Sequence, residues 1–161
     1  VAENRPQLGE TPPGQVPVDI GRLEQAVQEN PGDPKALLEL ANVLQDTRDF
    51  PRAIGFYKEY LELNPDNPDA RVDMGICYFE LARTDSVHGA TFYAVAIQEM
   101  ETVFEQHPRH QHAAFNLAIV HLHFGNLDES NRWLRRAIEV DESSDLGVRA
   151  KGLLEQHAMT E

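Results

Sequence analysis

Histidine is the side chain whose number and spacing in this sequence invite chemistry. Five of the seven fall between His107 and His123. Imidazoles at such density are candidate ligands for zinc, nickel or copper. His107, His110 and His112 lie around a turn signal at Pro108, where side chains can converge, and they form the candidate metal set. His121 and His123 belong to the following helical stretch, where residues two apart point about 200° from each other and the run from His112 spans roughly 16 Å of axis. No cysteine or neighbouring carboxylate completes a set with them. Cys77 is the sole cysteine, so no intrachain disulfide forms, and its place beside Tyr78 in an apolar stretch suits a small packing residue better than a nucleophile. No glycine-rich phosphate loop, Gly-x-Ser-x-Gly turn or His-Glu-x-x-His helix occurs. No catalytic residue and no cofactor is therefore assigned.

The elements that must hold these side chains follow a 34-residue ruler. Leu37, Leu40, Ala41, Leu44, Ala53, Tyr57 and Pro65 mark a first copy. Arg71, Met74, Gly75 and Tyr78 fill the same slots in a second, which continues as Ala96, Met100 and Pro108. Ala114, Leu117, Ala118, His121, Ser130, Leu134 and Glu142 form a third. Each copy carries two stretches with apolar residues at i, i+3, i+4 and i+7, the spacing of a helix with one buried face. Ala41, Gly75 and Ala118 stand where two helices approach closely, answered by Ala53, Ala96 and Ser130. Asn67 and Pro68 read as a cap and first-turn proline, while Pro65 stops the helix before them.

This pattern resembles the tetratricopeptide repeat family, whose units place a Leu-Gly pair, a Tyr, a later Ala, an aromatic and a closing Pro at these spacings. The resemblance implies an all-α, right-handed superhelical solenoid of antiparallel helix pairs that binds protein rather than catalysing a reaction. Units are expected at about 34–67, 68–110 and 111–144, with a leading helix over 18–30 and a closing, solvating helix over 145–158, eight helices in all. Residues 1–17, with four prolines and two glycines, are expected to be a flexible linker or arm, and 18–161 the helical domain.

Three breaks interrupt the ruler. Gly75 to Ala96 spans 21 residues where Ala41 to Ala53 spans 12, placing nine extra residues between the two helices of the second copy. Glu142 replaces the closing proline. Tyr60 and Val103 occupy a slot that Ala137 fills in the third copy, which predicts looser or shifted packing in the first two pairs.

Composition limits the partners. With 14 Lys and Arg against 27 Asp and Glu, the formal charge is −13, which opposes nucleic-acid binding because phosphate neutralisation needs clustered cations. Arg132, Arg135 and Arg136 form a local basic patch, read as a solvated face paired with Glu129 and Glu139. No apolar run approaches the roughly 18 residues of a membrane span. Likeness to compact bacterial repeat proteins with short Pro/Gly lead-ins points to a bacterial cytoplasmic or periplasmic domain, with a removed leader or anchor upstream of Val1 left open.

The first helix of each copy has a second apolar stripe beyond its packing face. In the repeat family these slots line the concave groove, so the resemblance implies a floor of Leu38, Val72, Ile76, Phe79, Phe115, Ile119 and Leu122. Lys35, Asn42, Asp46, Asp69, Glu80, His112 and His123 would be its polar fittings, with Asn42 placed to bond a peptide backbone. The alternative is that the chain covers these stripes itself, through Phe92 and Tyr93 of the long stretch or through the N-terminal segment, which in another molecule's groove would make a dimer. At the positions where the chaperone-tail subgroup grips a terminal carboxylate, this chain has Leu38, Asn42, Asp73, His112 and Asn116. Only Asn42 matches, and Asp73 repels a carboxylate. The expected function is a scaffold or assembly factor binding an apolar or basic segment. The alternatives are a cell-envelope assembly chaperone, such as those assisting cytochrome c maturation, and a metal-responsive protein using the histidine cluster.

Overall fold

The computed structural model describes residues 19–159, and the reading of 1–17 as an arm lies outside them. Eight helices follow in order: α1 (Ile20–Glu29), α2 (Pro34–Asp46), α3 (Phe50–Leu63), α4 (Pro68–Thr84), α5 (Gly89–Gln106), α6 (Gln111–His123), α7 (Leu127–Val140) and α8 (Asp145–Ala158). No strand occurs among the described residues. The fold is an all-α solenoid in which α2–α3, α4–α5 and α6–α7 are the paired hairpins. Consecutive helices pack on one another, and α4 also meets α6 as α6 meets α8.

Local chemistry sets the helix starts. Asp33, Asn67 and Ser144 accept bonds from the backbone N–H groups of Lys35, Ala70 and Gly147. Prolines in the first turns of α2, α3 and α4 lose no helical bond there. The helices then bury one continuous core in which Leu37, Leu40, Leu44, Tyr57, Met100, Leu117 and Leu134 are almost fully enclosed. Close approach depends on the small slots. A Cβ on Gly75 would come within 3.1 Å of the Met100 side chain and 3.4 Å of the Ala96 carbonyl.

The nine extra residues make no loop. The first hairpin has helices of 13 and 14 residues, the second of 17 and 18. Four extra residues therefore lengthen each helix, and the ninth enlarges the turn from 47–49 to 85–88. This extra turn of hairpin also removes a strained residue. The first and third hairpins bend through left-handed residues at equivalent slots, Arg48 (φ 65°) and Gly125 (φ 79°), while the same slot in the second is Ala82, still inside α4. Asp85 closes the long hairpin by accepting from the Val87 and His88 backbones and the His88 ring.

The oversized slots tie neighbouring units together. The Tyr60 hydroxyl accepts a 2.7 Å bond from Asn67 Nδ2 at the head of α4, and Val103 packs with Val72 and Ala113 on the flanking first helices. Where the closing proline is missing, Gln111 takes its place as a fastener. Its Nε2 donates to the carbonyls of Ala137 (2.8 Å) and Asp141 (2.6 Å), and its Oε1 accepts from Ser144 Oγ (2.7 Å).

Candidate peptide-binding groove

The first-type helices α2, α4, α6 and α8 form one row, and their outward stripes make the candidate groove. Side-chain ties hold the row in register. Gln45 Nε2 reaches the Asp73 carbonyl at 3.4 Å, joining α2 to α4, and His110 reaches Asp69 at 2.9 Å, joining the start of α6 to α4.

The expected floor divides into open and covered positions. Leu38, Ile76, Ile119 and Leu122 are half-buried, and Asn42 and His123 are exposed. Val72, Phe79 and Phe115 are buried, each under a neighbour. Val72 lies in the small cluster with Val103 and Ala113. Phe79 meets His123 edge-on at 5.4 Å and Phe124 at 6.4 Å, with the Arg83 guanidinium 5.7 Å over its ring. Phe115 lies under Arg149 of α8, 4.8 Å from its ring centre. The open floor is therefore a narrow aliphatic row.

Of the two residues expected as covers, only Tyr93 reaches this site, and it does so through an intermediary. Its ring stacks at 4.1 Å on Phe124, which lies on Phe79. Phe92 instead packs against Tyr78 and His88.

Several polar fittings are already engaged. Asn42 Oδ1 and Gln45 Oε1 lie 2.8 and 2.7 Å from the buried Tyr57 hydroxyl, which leaves the Asn42 amide hydrogens for a ligand. Glu80 pairs with Arg83 (3.0 Å) and Arg48 (3.5 Å). Lys35, Asp46 and His112 stand exposed.

Two charged residues matter more than the sequence reading allowed. Asp73, half-buried on α4, has no cation within ion-pairing distance among the described residues. Burial raises its carboxyl to about 6, Asp69 and Asp46 push the same way, and His110 offsets part of the effect. Arg149 belongs to α8, the helix expected to be a solvating end piece. It stands 34 residues after Phe115, so the ruler extended by one copy places it in the groove.

The histidines serve separate structural tasks. His107 is the exposed C-cap of α5. His110 uses both ring nitrogens: Nδ1 accepts from the Ala113 backbone at 3.1 Å, capping α6, and Nε2–H donates to Asp69. His112 is exposed, its ring 6.3 Å from that of His110. His121 is buried, which disfavours its charged form, and its Nδ1 takes a 3.0 Å bond from the Tyr93 hydroxyl, which itself accepts from Asn126. Among the described residues no three His, Cys, Asp or Glu side chains come together as a metal would require. Replacing His110 with alanine is expected to cost about 1 kcal/mol through the lost cap, read as a lower urea midpoint; an unchanged midpoint would show that the cap is dispensable. Cys77 is enclosed in the core, and burial followed by the nearby Asp73 charge pushes its thiol up to about 12. It offers no thiolate for chemistry at neutral pH.

Models of one family, the tetratricopeptide repeat, match residues 44–87 and 89–145. A curated relative, the general transcriptional corepressor ssn6 of Schizosaccharomyces pombe (strain 972 / ATCC 24843), is 22% identical over 122 residues, 76% of this chain and 10% of that protein. The chain thus spans about a tenth of that relative's length. Among solved structures, MamA aligns with a TM-score of 0.70 at 16% identity, covering 86% of this chain and 76% of MamA. PcrH in complex with the chaperone binding region of PopD aligns with a TM-score of 0.66 at 17% identity, covering 86% of this chain and 96% of that one.

Proposed function

The chain belongs to the tetratricopeptide repeat family, and from that premise we propose that it is a scaffold or assembly factor whose row of first helices holds a segment of a partner protein in an apolar groove. Repeats of this family are generally interaction modules without catalysis, and this chain brings no motif that argues otherwise.

The observation carrying the groove reading is the aliphatic row Leu38, Ile76, Ile119 and Leu122. It stays half-open along adjacent helices after the core is complete. Apolar side chains kept partly in water along such a line favour a partner that covers them. The acidic residues beside the row, Asp46, Asp69 and Asp73, favour an apolar or basic segment over an acidic one. The fold shared with PcrH, which holds a region of PopD, supports an assembly role of this kind. No helix among the described residues is long and apolar enough to cross a membrane.

Phe79 is unsuitable as a probe because it is buried, and a charge there would disturb the core. Ile76 and Ile119 are half-open and serve instead. On an array of end-blocked peptides, an Ile76→Glu, Ile119→Glu variant that keeps its helical circular dichroism is expected to bind at least about tenfold more weakly than wild type, the equivalent of ~1.4 kcal/mol. Equal binding of the same peptides by both proteins would place the partner surface elsewhere.

A further inference from the structure

The groove carries two opposite charges that the fold leaves unanswered. Asp73 on α4 sits half-buried with only like charges, Asp69 and Asp46, and the already engaged His110 acting on it. Arg149 on α8 lies against the face of Phe115 and makes no ion pair among the described residues. The two stand on alternate helices of the row, α4 and α8, with α6 and its Ile119 between them, so neither answers the other. Helices in contact lie about 8–10 Å apart. Two such steps put roughly 16–20 Å between the charges, which about five or six residues of extended chain span at ~3.3 Å each.

We propose that the occupant of this groove is an extended partner segment with a polarised charge pattern: a lysine or arginine over Asp73, apolar side chains on Ile76 and Ile119, and an aspartate or glutamate on Arg149. This rests on the groove reading above and adds the ligand's polarity and spacing to it. An extended backbone suits the site because Val72, Phe79 and Phe115 are covered. The remaining floor is a narrow row, whereas a helix with its side chains is about 10–12 Å across and needs a wider apolar bed. The pair suits a single ligand because Asp73 carries an unpaired charge partly withdrawn from water, while Arg149 stands exposed and accessible at the other end of the row. A segment bearing both signs answers both at once. Burial raises the Asp73 carboxyl only to about 6, so it is charged at neutral pH, and a cation seated there would offset the cost of that half-buried charge.

The test uses fluorescein-labelled, end-blocked peptides of alternating Ile and Ser carrying one Lys and one Glu, in both orders, at separations from three to twelve residues. Anisotropy with the full chain is expected to show tightest binding at a separation of six, the even spacing within this span that turns both charged side chains to the groove. Asp73→Lys is expected to weaken that peptide at least tenfold and to prefer the version with Glu in place of Lys. Arg149→Glu should do the same at the other end. Asp73→Asn, which relieves repulsion and keeps the side-chain shape, gives the loss of the lysine preference without risk to folding. Binding that ignores charge and spacing, yet is lost in the Ile76→Glu, Ile119→Glu variant, would overturn the charge pattern and leave the groove standing. A best separation near twelve would mean a helical ligand and would also overturn it. Peptides that bind wild type and the isoleucine variant alike would bring down both readings, as would no binding by any peptide.

Discussion

Gly147→Ala is expected to destabilise the protein by ~3 kcal/mol, near the upper end for forcing an atom into filled space. The contact is with backbone, which cannot rotate away. A Cβ at position 147 would lie 2.1 Å from the Asp141 carbonyl oxygen and 2.8 Å from the Glu142 backbone. Relief requires the α7–α8 turn to move, and that turn is fastened from three sides. Asp141 accepts from the Ser143 and Ser144 backbones, Gln111 holds the Ala137 and Asp141 carbonyls, and Ser144 Oγ accepts from the Gly147 N–H. An internal control sits one turn and a half further along the same helix. A Cβ on Gly152 meets nothing within 4 Å, so Gly152→Ala is expected to stabilise by ~0.5–1 kcal/mol through helix propensity alone. Urea unfolding of the two variants should therefore move in opposite directions. A neutral Gly147→Ala would show that the junction is loose and that α8 does not hold Arg149 in place.

Asp73→Asn is expected to raise stability at neutral pH and to lose that advantage in acid. The folded carboxyl titrates near 6 against an ordinary value of 3.8, so between those values the folded state binds more protons than the unfolded one. Stability contributed by this group therefore falls as pH rises from about 4 to about 6, and the full cost persists above that range. At 1.36 kcal/mol per decade the gap amounts to ~3 kcal/mol. Screening of a half-exposed group reduces the expected gain to ~1–2 kcal/mol. The two urea midpoints, well separated at pH 7.5, should converge by pH 4. A constant separation across that range would show that the effect of the substitution has nothing to do with the charge. A residue that weakens the fold at neutral pH and lies beside the candidate groove has the profile of a functional position.

Much of the architecture was legible because it repeats. Gly75 was readable as a close-contact slot from Ala41 and Ala118 at the same phase, and Asn67 with Pro68 as a helix start from their own chemistry. The groove was legible only in part. Val72, Phe79 and Phe115 have the same phase as Ile76, Ile119 and Leu122, and a helical ruler ranks them alike. Their exposure differs because Val103, Phe124 and Arg149 come from other helices and cover them. The histidines show the same limit, because side chains close in the chain take separate partners: the His110 ring is committed to Ala113 and Asp69, and His121 turns inward to Tyr93.

Periodicity, capping and charge balance are properties of neighbours three, four or thirty-four residues apart, and so a helical solenoid with an acidic surface is written directly in the chain. Burial, pairing and proton affinity depend on side chains that only folding brings near. The long stretch after Leu81 became an extra turn of two helices because one more turn on both arms of a hairpin keeps every backbone group bonded. Asp73 became a weak acid because the same row of helices that opens the groove withdraws it from water and sets it beside Asp46 and Asp69. Those outcomes belong to packing, where contacts between distant parts of the chain decide which of several locally equivalent residues meets a partner.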